Sequence, residues 1–167
     1  MKKSSVERER KFLVTKTPAK LSRYPHASIE QGYLALDNGR DGHFEVRLRR
    51  TDGKFTLTVK KKKAGPGRLE KEITLPHASA VKLWPLTMGR RVAKMRYDIP
   101  YRGHTIELDV YRGKTRGLVT AEVEFSSTDA MRKFKPPPWM KKEITGRSKY
   151  ANARLAVFGW KRGRAAR

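Results

Sequence analysis

"FEVRLRRTDGKFTLTVK", residues 44 to 60, reads as two strands and the turn that joins them. Phe44, Val46 and Leu48 alternate with Glu45, Arg47 and Arg49. After the turn signal TDGK (51–54), Phe55, Leu57 and Val59 alternate with Thr56, Thr58 and Lys60. Successive side chains of a strand point to opposite faces, so each strand carries one apolar row and one polar row. The same period continues outward from this hairpin. Residues 6–14, 28–36, 68–75, 90–99, 104–112 and 118–126 read as strands beside 43–50 and 54–62. Gly and Asp mark breaks at 37–42, 64–67, 101–103 and 112–117. HASAVKLW (77–84), STDAMRKF (127–134) and SKYANARLAVF (148–158) read as helices, the second with Ser127 or Thr128 as N-cap. The expected fold class is mainly β: eight antiparallel strands with a few peripheral helices, closed as a barrel or stacked as a sandwich. Short turns between neighbours favour an up-and-down meander. No repeat and no second domain are visible, and KRGRAAR (161–167) reads as a basic tail.

The charges keep the strand period. Half of the sixteen acidic residues form four i, i+2 pairs: Glu7/Glu9, Glu70/Glu72, Glu107/Asp109 and Glu122/Glu124. IELDV sets Ile106, Leu108 and Val110 behind one pair, and AEVEF sets Ala121, Val123 and Phe125 behind another. Lys94 and Arg96 stand opposite Met95 and Tyr97 in the same way. Two arrangements fit these rows. In a two-layer fold the apolar rows face a core and the polar rows face water. In a closed barrel the charged rows line a lumen, and helices and loops cover the apolar rows outside. Two features favour the lumen. Acids concentrate at strand centres while Lys and Arg crowd turns and termini. Carboxylate pairs and arginine pairs also suit one task together, since carboxylates hold hard divalent cations and arginines grip phosphate.

Composition narrows the class. A chain of 167 residues with 37% hydrophobic residues is long enough to bury a core. Without cysteine it can form neither a disulfide framework nor a thiolate metal site. No apolar run approaches the length of a membrane span, and MKKSSVERERK lacks the apolar stretch of a signal peptide, so a cytoplasmic location is expected. The net charge of +24 implies anionic partners. His26, His43, His77 and His104 show no metal-ligand spacing and read as surface residues near turns. Trp84, Trp139 and Trp160 read as packing helices onto the exterior. Tyr33 is the strand aromatic that the pattern does not place outside.

Glu7-x-Glu9-x-Lys11 resembles the N-terminal ExExK signature of the CYTH proteins, or triphosphate tunnel metalloenzymes. The likeness continues in order through Arg47-x-Arg49, Lys60, Glu70-x-Glu72, Lys94-x-Arg96, Glu107-x-Asp109 and Glu122-x-Glu124. LWPLTMGRRVAKMRY, AEVEF, PPPW and KYANARLA are similar to the short bacterial members. The resemblance implies an eight-stranded antiparallel tunnel over residues 1–160, binding a linear triphosphate with Mg²⁺ or Mn²⁺. It implies hydrolysis of tripolyphosphate to pyrophosphate and phosphate. Glu7, Glu9, Glu122 and Glu124 would hold metal, and Glu7, Glu9 and Lys11 would be catalytic. Lys11, Arg47, Arg49, Lys60, Arg91, Lys94, Arg96 and Lys149 would clamp substrate, with Glu70, Glu72, Glu107 and Asp109 in support. The chain would be a monomer or homodimer with no membrane association.

Fold membership does not by itself decide the reaction. A class IV adenylyl cyclase or an organic triphosphatase, acting on thiamine triphosphate, a nucleoside triphosphate or an RNA 5′-triphosphate, would use the same groups. A non-enzymatic polyanion-binding protein would use the basic surface instead, with steep salt dependence.

Overall fold

The computed structural model describes residues 8–37, 44–62 and 68–161. Glu7, His43, parts of two expected turns (38–43 and 63–67) and the tail from 162 onward lie outside the described residues. The strands are β1 (Glu9–Val14), β2 (His26–Asp37), β3 (Phe44–Thr51), β4 (Lys54–Lys62), β5 (Arg68–Leu75), β6 (Arg91–Tyr101), β7 (His104–Arg112), β8 (Val119–Glu124) and β9 (Met140–Glu143). Three helices accompany them: α1 (His77–Leu83), α2 (Thr128–Lys133) and α3 (Asn152–Phe158).

Two tight turns fix the register of the hairpins. Asp52 and Gly53 both take positive φ, 46° and 86°, between Thr51 and Lys54, which pair across the turn. Arg102 and Gly103 repeat this at 49° and 77° between Tyr101 and His104. Two-residue turns of this kind match the twist of the strands they join. Ser127 caps α2, its hydroxyl accepting from the Ala130 amide at 3.1 Å. The expected helix over 148–158 divides into a 3₁₀ turn, Ser148–Tyr150, and α3.

The strand order is β5-β4-β3-β2-β6-β7-β8-β1-β9. Eight strands are those expected; the ninth, β9, was not legible. The simple meander is corrected: two meanders, β2 to β5 and β6 to β8, join through β2 and β6. α1 and a 3₁₀ turn, Trp84–Thr87, carry the chain back between them. That return packs tightly on β2, where a Cβ added to Gly32 would stand 2.5 Å from Thr87 Oγ1. The sheet curls so that side chains of β1 to β8 share one cavity. Among the described residues no ladder joins β5 to β1 or β9, so strand pairing does not complete a closed barrel.

The apolar rows turn outward, away from the cavity. Phe12, Ile106, Leu108, Val123 and Phe125 form the main outer core with Phe134 and Met140. Burying each such side chain stabilises by roughly 1.5–3 kcal/mol. The cover is incomplete at β5, where Leu69 and Ile73 remain 41% and 56% exposed. A second core closes one end of the curl: Tyr33, Val92 and Tyr111 meet Ile144, Tyr150, Leu155 and Ala156.

Candidate active site

Alternation delivers the charged rows to a cavity of about 520 Å³. β1 supplies Glu9 and Lys11, β3 supplies Glu45, Arg47 and Arg49, and β4 supplies Lys60. β5 adds Glu70 and Glu72, β6 Arg96, β7 Glu107, and β8 Glu122 and Glu124. Charged groups gathered in a concave site need internal partners or a ligand of opposite charge.

Many of them are held by partners. Lys60 Nζ lies 2.9 Å from Glu70 Oε2, and Thr58 donates to Glu72 at 2.8 Å. Arg47 contacts Glu45 at 3.4 Å and Glu70 at 4.0 Å. Its Nε is buried with no hydrogen-bond partner among the described residues. Arg49 donates to Gln31 Oε1 at 3.3 Å. Burial, then the neighbouring Arg47 and Arg96, pushes the Arg49 guanidinium below its ordinary value. A buried guanidinium crowded by two others forms a site that a bound anion would relieve.

Beneath the wall lies a buried ion cluster. Lys94 and Asp109 form an ion pair and are 2% and 0% exposed. Arg96 grips Asp109 through Nε at 2.7 Å and Nη2 at 2.8 Å, pairs with Glu107, and reaches Glu122 at 3.5 Å. Burial opposes charge on Asp109, but Lys94 and Arg96 hold its carboxyl down at about 2. One carboxylate serving two cations leaves Lys94 less compensated, and burial drives its ammonium down to about 8. Burial, with Asp109, Glu122 and Glu124 nearby, lifts Glu107 against the pull of Arg96. Burial also opposes charge on Glu122, yet Lys11 and Lys94 hold it below the usual carboxylate range. Lys11 Nζ stands 2.5 Å from Glu122 Oε1.

Other expected residues fall elsewhere. Lys94 and Asp109 underlie the wall and do not line it. Arg91 lies on the opposite parity of β6 from Lys94 and Arg96. Its guanidinium donates to Thr87 and to the Trp84 carbonyl and stacks 4.6 Å from the Trp84 ring. Lys149 is exposed, its ammonium 5.0 Å from the Tyr150 ring centroid, and does not line the cavity. His26, His77 and His104 are absent from the wall. Trp84 packs on Phe55, Trp139 joins the outer core, and Trp160 packs on Tyr150 in the end core.

The wall also includes residues outside the charged rows that the sequence marks. Tyr33 is 1% exposed, faces the cavity and accepts a hydrogen bond from Gln31. Burial, then Glu45, raises its phenol above the ordinary value. Arg147, Ser148 and Asn152 come from the irregular segment before and at the start of α3. Glu45 was legible, since it shares its row with Arg47 and Arg49.

The carboxylate geometry suits a hard cation. Glu9 and Glu124 are direct cross-strand partners, as are Glu107 and Glu122. Like charges directly opposite across a ladder are destabilising unless a cation intervenes. Glu107 and Glu122 have Arg96 between them. Glu9 and Glu124 are an oxygen-donor pair, and Mg²⁺ commonly uses one or two carboxylates completed by substrate phosphates. Among the described residues no three carboxylates or imidazoles form a ready-made cage.

Comparison with known proteins decides the family. An inorganic triphosphatase of Nitrosomonas europaea is 40% identical over 154 residues, covering 90% of this chain and 97% of that protein. This chain belongs to the inorganic triphosphatases of the CYTH family. A second inorganic triphosphatase, from Acetivibrio thermocellus, is 35% identical over 156 residues, covering 93% and 96%. A crystal structure of an inorganic triphosphatase superposes on the family member described here with a TM-score of 0.71 at 37% identity, covering 92% and 95%. An adenylate cyclase-like protein from Bacillus halodurans shares the fold at a TM-score of 0.56 and 19% identity, covering 77% and 84%. No family model matches the chain. Among its described residues no helix is long and apolar enough to cross a membrane.

Proposed function

We propose that this CYTH protein hydrolyses inorganic tripolyphosphate to pyrophosphate and phosphate. The observation that carries the reading is the approach of Arg47, Arg49 and Arg96 in one cavity, facing the Glu9–Glu124 pair. Forked guanidiniums bind phosphate oxygens in pairs and stabilise charge on a departing pyrophosphate. Lys60 and Lys11 extend the clamp along the phosphate chain. Glu9, Glu122 and Glu124 would hold the divalent cation, with Glu122 paired to Lys11 in its absence. Mg²⁺ or Mn²⁺, when bound, supplies neutralisation of phosphate oxygens and acidification of water. Water attacks a terminal phosphorus and gives up a proton to solvent, the bridging P–O bond breaks, and the pyrophosphate oxygen takes the bond's electrons beside the arginines. Lys94 and Asp109 act from below by fixing Arg96.

The substrate class follows from the wall. The cavity's aromatic groups, Tyr33 and Tyr150, are 1% and 5% exposed. A nucleobase would gain little stacking while losing its freedom on binding. The test compares kcat/KM for tripolyphosphate, ATP and thiamine triphosphate at matched free Mg²⁺ and Mn²⁺. Tripolyphosphate should lead. A clear preference for ATP, or cyclic AMP among the products, would overturn the reading.

A further inference from the structure

The cavity does not account for the charge of the protein. Six basic and seven acidic side chains line it, and Lys94 and Asp109 beneath add one of each. The site is near neutral before substrate arrives, so the positive excess lies elsewhere. Among the stretches free of Asp and Glu are 73–97, 110–121 and 144–161. The fold brings all three together at one end of the sheet, with Lys114 at the junction. Its ammonium donates to the Gly89 carbonyl at 3.1 Å, and its carbonyl accepts from the Trp160 amide at 3.0 Å. Tyr111 donates to Asn152 at 2.7 Å across the same junction.

The face carries Arg90, Arg112, Lys114, Arg116, Arg154 and Lys161, all exposed except the half-buried Arg90. Among the described residues none of the six forms a salt bridge. An exposed aromatic stands among them. Phe158 is 66% exposed, with the Arg154 guanidinium 4.6 Å from its ring centroid. Phe158 directly precedes Gly159, which packs against the Lys114 carbonyl. Unpaired cations beside an exposed ring suit a polymer that offers both phosphates and flat bases.

We infer that this face binds single-stranded nucleic acid, independently of the cavity. The backbone lies along Arg112, Lys114, Arg116 and Lys161, and a base stacks on Phe158. Inorganic polyphosphate would satisfy the cations but not the ring, so the aromatic decides between the two.

The test measures fluorescence anisotropy of a labelled single-stranded oligonucleotide of about 16 nucleotides, a length in the range one binding module covers. With four phosphate contacts, affinity should fall about 50-fold between about 50 and 200 mM salt. The R112E/K114E/R116E variant should bind at least about tenfold more weakly and lower the salt slope by about 2, since each contact contributes about 0.7. Its melting temperature and tripolyphosphate turnover should match those of the native chain. An abasic strand of equal length should bind about tenfold more weakly than the base-bearing strand, a difference that F158A should remove. Saturating tripolyphosphate should leave the bound strand in place. Four results would overturn the inference: no binding at low salt, native-like binding by the triple variant, equal binding of abasic strand or polyphosphate, or displacement by tripolyphosphate.

Discussion

Asp109→Asn isolates the buried cluster under the active site. The change is nearly isosteric but removes the one charge shared by Lys94 and Arg96. Arg96 keeps Glu107 and Glu122 as anionic neighbours. Lys94, 2% exposed, keeps no ion pair among the described residues and only the more distant pull of Glu122. Stranding one member of a buried pair costs about 3–5 kcal/mol. For a chain of this size each kcal/mol moves Tm by about 2–4 °C, so a fall of about 6–20 °C is expected. The control is K94M/D109N. Replacing a buried pair by apolar groups is often neutral, so the double variant should recover at least half of the loss. Urea and thermal unfolding at pH 7.5 should be followed by two probes, with tripolyphosphate turnover measured alongside. A D109N chain that melts within 2 °C of the native one would refute the reasoning. So would a double variant less stable than D109N, because the damage would then not be a stranded lysine.

Glu124→Gln should keep Tm while kcat falls at least about 100-fold, since even residues that only orient metal ligands are commonly worth 10–100-fold. Retained turnover with Mg²⁺ removes Glu124 from the cation site. Arg49→Ala should lower kcat/KM by about 10- to 150-fold, the worth of a charge-assisted hydrogen bond, while Lys61→Ala on the outer, exposed row changes it less than about twofold. Equal losses would point to a diffuse field in place of a clamp. Asp109 also predicts acid behaviour. Its carboxyl is lowered from 3.8 to about 2. The associated stability, about 2 kcal/mol, is therefore fully present above pH 3.8 and lost as pH falls through about 2. A urea midpoint that stays flat between pH 4 and 2 would contradict the assignment.

The legible part of this molecule was the part governed by period and turn chemistry. The hairpin over 44–60 declares its two faces residue by residue, and Asp52-Gly53 supplies the only conformation its turn accepts. The inner rows on β3, β5, β7 and β8 followed from the same alternation. Arg91 stands apart from the cavity wall, and its parity is visible in the sequence: it shares a row with Ala93 and Met95, not with Lys94. The pairing of β2 with β6 was not legible, because it depends on Gly32 admitting Thr87 from a distant turn. Arg147, Ser148 and Asn152 reach the cavity from a 3₁₀ turn and the start of α3, where no strand period marks an inner face. β9 is four residues long, and only Met140 of them is buried. The depth of Lys94 and Asp109 was equally hidden, since a strand pattern gives the face of a side chain but not how far it lies from water.

A sheet that ends at β5 leaves an edge. Its unpaired rim runs beside Leu69 and Ile73, with Lys71 between them on the same outward row. Such rims recruit other strands unless charge prevents it, and here a positive charge is set in the middle of the apolar row. A net charge of +24 makes copies repel one another in dilute buffer. That protection is colloidal and can be titrated away. Polyanions that neutralise the surface would weaken that repulsion and leave the β5 rim with Lys71 as its local guard.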